Sequence, residues 1–440
     1  MIAIKKLLIT SIRKISKTVI YIGCLINSPL LVSKIFIIST RKLYNVKYNA
    51  NTKKKIIYFY RSAGINDLIE SFSKIKSEND IFTLERGLLV EIFNYFTGEG
   101  VISDFNYKKE GSINNKIKYR FFINKVFELI KKDWDLGGII TSGIFMKADH
   151  ELIATCKDIN IPFIIMQKEG IRSHNERLVE DHYLKHKIPK FEGTKILVYN
   201  QDEKNSYINS GYARKDQIII NGCPRLDTFF KLKKKLPNTK TIAFFLIQND
   251  YGLPIQSGKW HIPSVLKKKI KDKKFSWEII EKKYFKIIED FIKNNKDYNV
   301  IIKTKPIPSL SPSQIKFMNK MEAHNVKILS GGNSYNTIKN SKIIVTFSST
   351  VIFEALAANR ILIVAYDLVN TDKSKYILDI NKSFLPTKSI NKNNLKKIKN
   401  QKINIKFKKK IFSKYLGNNN GKSGDRTGKI LNNIFQNFGN

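Results

Sequence analysis

Residues 341–367 of the chain, SKIIVTFSSTVIFEALAANRILIVAYD, carry the pattern that decides the fold class. Residues 342–347 form a β-branched and apolar run of the kind found in the buried strands of parallel sheets. Residues 351–358 continue as a short apolar helix, and residues 360–365 return to a strand-like run. The stretch therefore predicts a strand, a turn, a helix and a second strand, which together make a βαβ unit.

The turn of this predicted unit carries three hydroxyl side chains, those of Ser348, Ser349 and Thr350. A helix that starts just beyond a parallel strand presents free backbone N–H groups and the positive end of its dipole, and both favour a phosphate. Glu354, one turn inside the helix, is placed to reach sugar hydroxyls. A plain scaffold helix capped by serine explains the same residues, so the spacing alone leaves both interpretations open.

Strand-like and helical segments alternate along most of the 440 residues. This rhythm occurs twice, which predicts an α/β protein with two doubly wound parallel-sheet domains. Ligands of such sheets bind beyond the carboxyl ends of the strands, and the cleft between two such domains is the expected active site. The predicted segments are a basic helical stretch at 1–48, a Rossmann-like domain at 53–230, a Lys-rich linker at 231–240, a second Rossmann-like domain at 241–416, and a C-terminal helix at 417–440 that could pack on the first domain.

The chain is strongly basic, with 79 Lys and Arg residues against 37 Asp and Glu residues and a formal net charge of +42. The lysines are spread along the whole chain, and no nucleic-acid-binding motif is present, so we do not expect nucleic acid as a partner. An anionic substrate or an anionic lipid leaflet fits the same charge.

Cysteine and histidine spacing indicates neither a disulfide framework nor a metal site. Cys24, Cys156 and Cys223 are far apart and odd in number, which favours a reducing compartment. His182 and His186 could share one helix face, but two ligands do not make a metal site, and solvated surface is the simpler interpretation. We therefore expect no metal and no cofactor.

Basic residues alternate with apolar stretches throughout residues 1–48. The longest uncharged run, residues 18–33, contains Pro29 and is shorter than the roughly 20 residues that span a bilayer. The pattern predicts one or two amphipathic helices lying on an anionic membrane face. Two alternatives remain open: ordinary helices packed on the first domain, and a single membrane span.

Four segments carry a resemblance to a known family: GCPRLD at 222–227, IIKTKP at 301–306, FSSTVIFEALAANRILI at 347–363 and GNNNGKSGDRTGKIL at 417–431. They resemble GT-B glycosyltransferases of the bacterial capsule and surface-polysaccharide type, and CDP-glycerol-type polymerases and UDP-N-acetylglucosamine 2-epimerases share that architecture. The resemblance covers about the second half of the chain. It implies two facing Rossmann-like domains, the first for the acceptor and the second for a nucleotide-sugar donor.

The resemblance also implies a donor site in the second domain. Hydroxyl and N–H groups would bind the donor phosphates, Glu354 would bind the ribose or the sugar, and two lysines would neutralise the leaving diphosphate. Lys305 stands where the capsule-type motif has histidine, and a lysine supplies charge but no imidazole acid–base chemistry. The implied donor-binding residues are Lys303, Lys305, Ser348, Ser349, Thr350 and Glu354.

The implied catalytic base lies in the first half. Glu169, in QKEG after the strand-like run 161–166, resembles the carboxylate-plus-glycine motif of these transferases. A solvated turn glutamate is the alternative, and three backup candidates, Asp149, His150 and Glu151, stand in a helical first turn. The tract 171–191 lacks clear periodicity and is predicted as a long loop; its Arg172 and His174 are possible acceptor-binding residues, with plain surface as the alternative.

Together the motifs imply a metal-independent glycosyltransferase that moves a sugar from a nucleotide-sugar to a surface or capsular polysaccharide or a lipid-linked glycan. It would be cytoplasmic and peripheral at the cytoplasmic face of the inner membrane. A CDP-glycerol-type polyol-phosphate transferase or a nucleotide-sugar epimerase is the alternative among enzymes. A catalytically inactive glycan- or membrane-binding subunit is the alternative of another class.

Overall fold

Apolar strands and amphipathic helices alternate through the computed structural model, and they build two parallel sheets. Contacts divide the chain into unit 1, which comprises Met1–Gly170, Asp181–Arg225 and Gly417–Asn440, and unit 2, which comprises Ile171–Glu180 and Leu226–Leu416. The structure describes residues 2–60, 64–108, 110–168, 170–172, 174–232, 237, 240–247, 262–268, 276–322, 326–347, 349–368, 384–390, 405–417 and 420–438.

The sheet of unit 1 has the order β1-β3-β2-β4-β5-β6-β7, with only the short β1 antiparallel among the described strands. Its apolar strands are buried by helices, as parallel sheets require. The elements of this part of the chain are α1 (Ile2–Leu25), α2 (Pro29–Ser39), β1 (Arg41–Lys42), β2 (Lys55–Tyr60), α3 (Ile65–Ser71), β3 (Asp80–Glu85), α4 (Arg86–Thr97), α5 (Ile113–Trp134), β4 (Leu136–Thr141), α6 (Asp149–Asp158), β5 (Phe163–Met166), α7 (His174–His186), β6 (Lys195–Val198), α8 (Gln201–Asn209) and β7 (Ile218–Ile220). Residues 174–180 of α7 belong to unit 2.

The sheet of unit 2 is entirely parallel in its described strands, with the order β10-β9-β8-β11-β12. Its elements are α9 (Asp227–Lys231), β8 (Thr241–Phe245), α10 (Trp277–Asn294), β9 (Asn299–Thr304), α11 (Pro312–Glu322), β10 (Lys327–Ser330), α12 (Tyr335–Asn340), β11 (Ile343–Thr346), α13 (Val351–Ala357), β12 (Ile361–Val364) and α14 (Ile405–Leu416). The expected α/β fold with two doubly wound parallel sheets is confirmed, and the stretch 341–367 is the βαβ unit that its pattern predicts.

Two local predictions are wrong. The tract 171–191, predicted as a loop, contains the helix α7. Its buried apolar residues Val179 and Leu184 stand among charged residues and show no regular helical period in the sequence. Glu180 on the same helix is also buried and pairs with two arginines, so the stripe that faces the protein interior is partly ionic. The strand β3 is missing from the prediction, although it pairs in parallel with β2 along its whole length.

The C-terminal helix α15 (Ser423–Asn437) packs on α3 in unit 1. Asn432 holds it there, because its side chain accepts from the N–H of Glu78 at 3.1 Å and donates to the carbonyl of Lys76 at 2.9 Å. Gly428 allows the close approach, since a Cβ atom at this position would lie 2.2 Å from the carbonyl oxygen of Ser71. A side chain larger than hydrogen therefore does not fit at residue 428.

The helices α1 and α2 pack on unit 1 through one face. Ile20, Val32 and Phe36 are buried against it, and α1 contacts α4 while α2 contacts α5. Three ion pairs add to this packing: Arg13 with Glu85, Lys17 with Glu91, and Lys34 with Asp133. Among the described residues, no helix combines the length and apolar character that crossing a bilayer requires.

Candidate functional site

The carboxyl edge of the second sheet collects most of the predicted donor-binding residues. In chain order the strands read 3-2-1-4-5 across this sheet, so β8 lies between β9 and β11. The strand order reverses between β8 and β11, which makes the carboxyl ends of these two strands the topological switch point. Crevices at such points are the usual ligand sites of open parallel sheets.

Lys303 and Lys305 mark the carboxyl end of β9. Lys303 is buried, and its ammonium group donates to the carbonyl oxygen of Gly331 in the loop after β10. Burial lowers the pKa of Lys303, and the positive charge of Lys305 lowers it further. Lys305 lies just beyond the strand with an exposed side chain. The two lysines therefore place one buried and one accessible positive charge at this edge.

The turn between β11 and α13 supplies hydroxyl groups, while the N–H groups of residues 351–353 donate within the turn. Ser349 accepts a hydrogen bond from the N–H of Val351 at 3.3 Å, and the carbonyl of Thr350 accepts from the N–H of Phe353 at 3.0 Å. Both serine and threonine side chains are partly exposed. The predicted donor residue Ser348 lies outside the described residues.

Glu354 is partly exposed, whereas the other six residues of α13 are buried. Its carboxylate accepts a hydrogen bond from the hydroxyl of Ser334, which stands at the start of α12. The sequence patterns do not single out Ser334. The sequence signal nearest to it is the Gly331-Gly332 pair, which follows the apolar run 326–329 and indicates a tight turn.

The predicted base Glu169 lies outside the described residues, but both of its neighbours in unit 1 are described. Lys168 is buried just beyond β5, and the carbonyl of Gly170 accepts from the side chain of Asn200 at 3.2 Å. A Cβ atom at residue 170 would lie 2.1 Å from the carboxylate of Glu203, so a side chain there would force this buried carboxylate to shift. The main chain on either side of residue 169 is thus held at the carboxyl edge of the first sheet.

Arg225, from the GCPRLD segment, is fixed by a buried network in unit 1. Its guanidinium donates to the carboxylate of Asp67 at 3.0 Å and to the hydroxyl of Tyr199 at 2.8 Å. Its backbone N–H also donates to Asp67 at 2.9 Å, and a longer bond of 3.5 Å reaches the carbonyl of Lys168. The network joins α3, β6 and the chain before Gly170.

The possible acceptor-binding residues are placed differently from one another. Arg172 lies 3.7 Å from the buried carboxylate of Glu180, which also pairs with Arg177. Arg172 therefore shares a single carboxylate with Arg177. His174 begins α7 and is exposed. An exposed imidazole at this position is accessible to a ligand, while the guanidinium of Arg172 is already engaged.

The backup candidates at the start of α6 have structural roles. Asp149 is buried, and the guanidinium of Arg86 binds both of its carboxylate oxygens at 2.9 Å. Burial raises the pKa of Asp149, while Arg86 opposes the shift. Glu151 accepts from the hydroxyl of Tyr107 at 2.7 Å. Burial lowers the pKa of His150 to about 3, with Arg86 adding to the shift, so its ring is neutral near pH 7.

Metal-binding clusters are also absent from the part of the chain that the structure describes. There, no three or more His, Cys, Asp or Glu side chains are arranged to hold a metal ion. His182 and His186 do share a face of α7, with ring centroids 4.7 Å apart.

Known proteins resemble this chain only distantly. No protein-family model matches it, and no curated protein is significantly similar. The UDP-GlcNAc 2-epimerase from Methanocaldococcus jannaschii aligns at 15% identity over 86% of this chain and 99% of that chain, with a TM-score of 0.48. A variant of the wall teichoic acid polymerase TagF soaked with CDPG aligns at 11% identity over 96% and 98%, with a TM-score of 0.48. A co-structure of S. aureus MnaA with UDP aligns at 10% identity over 87% and 97%, with a TM-score of 0.47. Because these identities and TM-scores are low, the similar structures support no residue role, and the roles proposed below rest on the geometry of this chain alone.

Asp67→Asn is expected to destabilise unit 1 by about 3 kcal/mol, because it leaves a largely buried arginine without its carboxylate. The measurement is chemical denaturation followed by hydrogen exchange in peptides of unit 1. Asp216→Asn is the matched control, since Asp216 pairs with Arg214 at the surface with both side chains more than 60% exposed. The control should cost less than about 1 kcal/mol. Equal losses in the two variants would contradict a stabilising role for the Asp67–Arg225 pair.

Proposed function

We propose that the protein is an enzyme that transfers a sugar from a nucleotide-sugar donor to a surface or capsular polysaccharide, or to a lipid-linked glycan, without a metal ion. The observation that supports this proposal is the gathering of charge and hydroxyl groups at the carboxyl edge of the second sheet. Lys303 and Lys305 lie at one strand end, and Ser349, Thr350 and Glu354 follow another. Phosphates and sugar hydroxyls are the ligands that such groups bind.

The donor diphosphate would lie between the lysines and the hydroxyl turn. Lys305 would contact it, and buried Lys303 would add to the positive potential from behind. Ser349 can still donate its hydroxyl hydrogen, because its oxygen is the acceptor for Val351. Ser348 and Thr350 would complete the set. Positive charge at this point lowers the barrier most, since negative charge develops on the diphosphate as it leaves.

Glu169 would act as the general base for the acceptor. Its carboxylate would take the proton of the acceptor hydroxyl while the acceptor oxygen bonds to the anomeric carbon and the bond from that carbon to the diphosphate breaks. The products are the extended glycan and a nucleoside diphosphate. His174, at the exposed start of α7, would contribute to acceptor binding. Arg172 would add positive charge, which its partner Glu180 partly offsets.

Glu169→Gln should abolish sugar transfer and leave donor binding nearly unchanged, because the amide fills the same space but accepts no proton. Turnover of a radiolabelled donor and calorimetric donor binding would be measured on the same preparation. Glu192→Gln serves as the control, since Glu192 is a surface residue paired with Lys157. Full turnover by Glu169→Gln would remove this carboxylate from the mechanism.

Glu354→Ala should weaken donor binding about 10- to 100-fold, the range expected for losing hydrogen bonds to a charged group. The donor nucleotide is first identified with a thermal-shift panel of CMP-, CDP-, UDP- and GDP-linked donors. A donor that binds raises the melting temperature, since a ligand at 100 times its Kd stabilises the folded state by about 2.7 kcal/mol. Glu322→Ala, at an exposed position of α11, is the control.

The same panel separates the alternatives. Stabilisation by CDP-polyols and not by nucleotide sugars would favour a polyol-phosphate transferase. Conversion of the donor sugar without an acceptor would favour an epimerase. The absence of any stabilisation would favour an inactive binding subunit, the alternative that Lys305 in place of histidine keeps open.

We also propose that α1 and α2 hold the protein at the cytoplasmic face of the inner membrane. One face of these helices packs on the rest of unit 1, and apolar side chains are exposed elsewhere on them and just after α1. Leu25 and Ile26 are each 61% exposed, and Ile15 is 63% exposed. Exposed Lys14 and Arg13 lie beside this surface, and Arg13 is half exposed even in its ion pair. Apolar side chains flanked by basic ones bind anionic lipid surfaces.

The double substitution Leu25→Ser with Ile26→Ser should lower the affinity for vesicles more than tenfold, because two apolar side chains no longer enter the interface. Co-sedimentation would use vesicles with and without phosphatidylglycerol. The control is Val265→Ser with Ile279→Ser, two exposed apolar residues of unit 2. Equal binding by both double variants, or binding indifferent to the anionic lipid, would contradict the proposed surface.

A further inference from the structure

The helix α1 is fastened to the rest of unit 1 in two different ways along its length. Near its carboxyl end, Ile20 and Cys24 are buried in the apolar core of this unit. Arg13 and Lys17 stand on the same face of the helix, because positions 13, 17, 20 and 24 are spaced three and four residues apart. The packed face of α1 is therefore apolar around Ile20 and basic in the two turns before it.

Ion pairs hold the basic part of this face. Nη2 of Arg13 lies 2.7 Å from Oε1 of Glu85, and Nζ of Lys17 lies 2.7 Å from Oε2 of Glu91. The four side chains remain between 31% and 50% exposed. Water and salt therefore reach both pairs, and exposed pairs of this kind contribute little to the free energy of unfolding.

The other contacts of this part of α1 are few. Ser16 is the one buried side chain among residues 13–19, all of which the structure describes. Its hydroxyl lies 3.2 Å from the hydroxyl of Ser39, which joins α1 to the end of α2. The segment 13–19 therefore depends mainly on polar contacts, whereas the segment after it is anchored by apolar burial.

The two cations lie at an electrostatically unfavourable place on α4. A Cβ atom on Gly87, in the first turn of α4, would be 3.4 Å from Nη2 of Arg13 and 3.8 Å from Cε of Lys17. The amino-terminal end of a helix carries the positive end of the helix dipole, which repels cations. The two glutamates therefore have to offset this repulsion in order to hold α1 in place.

Glu85 is placed to stabilise α4 by itself. It precedes the first residue of that helix, where a carboxylate interacts favourably with the helix dipole. Its side chain makes no hydrogen bond to its own helix and contacts Arg13 instead. A departure of Arg13 would therefore leave the carboxylate of Glu85 at the positive end of α4, where its charge is still favourably placed.

We propose that the ion pairs of Arg13 with Glu85 and of Lys17 with Glu91 form an electrostatic switch, which an anionic lipid surface opens by competing for the two cations. The inference rests on the proposed membrane contact of α1 and α2 and adds its regulation. Lipid phosphates attract each Lys or Arg about as strongly as an exposed carboxylate does. When the switch opens, the part of α1 before Ile20 moves to the lipid surface, while Ile20 stays in the core as the pivot.

The switch makes membrane attachment depend on the anionic lipid content. In the closed state Lys14 is exposed, while Arg13 and Lys17 are engaged by carboxylates. Opening adds these two cations to the basic surface that meets the lipid, and it frees the exposed side chain of Ile15 to enter the interface. Attachment is therefore expected to rise more steeply with anionic lipid than surface lysines without partners would allow.

The first test removes the two carboxylates that hold the switch closed. Glu85→Gln with Glu91→Gln should raise the affinity of the full chain for phosphatidylcholine vesicles that contain phosphatidylglycerol by about threefold or more, because both cations are then available to lipid. The control, Asp158→Asn with Glu192→Gln, removes two carboxylates from ion pairs elsewhere on unit 1 and makes the same change in net charge. Its affinity should stay within about twofold of wild type.

The second test restrains α1 without changing its charge. Ser16→Cys with Ser39→Cys places two thiols where the hydroxyls lie 3.2 Å apart, so oxidation would join α1 to α2. The oxidised protein should bind the anionic vesicles about threefold or more weakly than the same preparation after reduction, because the start of α1 can no longer leave α4. Wild-type protein, whose three cysteines are buried, is carried through the same oxidation and reduction as the control and should not change.

Failure of the switch can be told apart from failure of the membrane proposal. If wild-type protein binds vesicles neither with nor without phosphatidylglycerol, the membrane contact itself is wrong, and the switch is overturned with it. If wild-type protein binds the anionic vesicles but the double glutamate variant keeps the wild-type affinity, or the control variant gains as much, the ion pairs are structural only. Equal binding by the oxidised and reduced cysteine variant would also overturn the inference, since α1 would then bind lipid without leaving α4.

Discussion

The parallel pairing of β8 with both β9 and β11 is the constraint on which unit 2 depends. Because β8 is central, the chain that leaves β10 at the sheet edge must pass over the ends of β9 and β8 before it forms β11. The loop of residues 330–334 and α12 make this passage. The crossover therefore brings the Gly331-Gly332 turn next to Lys303 in β9 and brings Ser334 next to Glu354 in α13.

Unit 2 also contains buried positively charged side chains. Lys303 and Arg360 are both buried, burial lowers the pKa of each, and their described hydrogen bonds go to backbone carbonyls. A neutral carbonyl solvates a cation without cancelling its charge. Lys303 lies near the end of β9, beside exposed Lys305. The positive electrostatic potential of these two lysines favours an anionic ligand there. In unit 1, by contrast, Arg225 and its partner Asp67 form an ion pair, and that network serves the scaffold.

Strongly patterned segments were predictable, and irregular ones were not. The strands Ile343–Thr346 and Ile361–Val364 and the helix Val351–Ala357 lie where the stretch 341–367 predicts them, because their apolar runs are strongly patterned. The helix α7 escaped prediction because Glu180, an acidic residue, takes one of its buried positions. Burial of a charge depends on the arginines that approach from elsewhere on the chain, and no local pattern records their approach.

The sequence by itself determined the α/β class, the two rounds of strand and helix, and the chemistry at the strand ends, because strand and helix periods and hydroxyl-rich turns are local properties of the chain. Only the tertiary structure decided the strand order, the partner of Arg225 and the contact between Ser334 and Glu354. These two residues are twenty positions apart and meet only because a crossover helix passes above a central strand. Contacts of that kind follow from topology, which sequence periodicity does not encode.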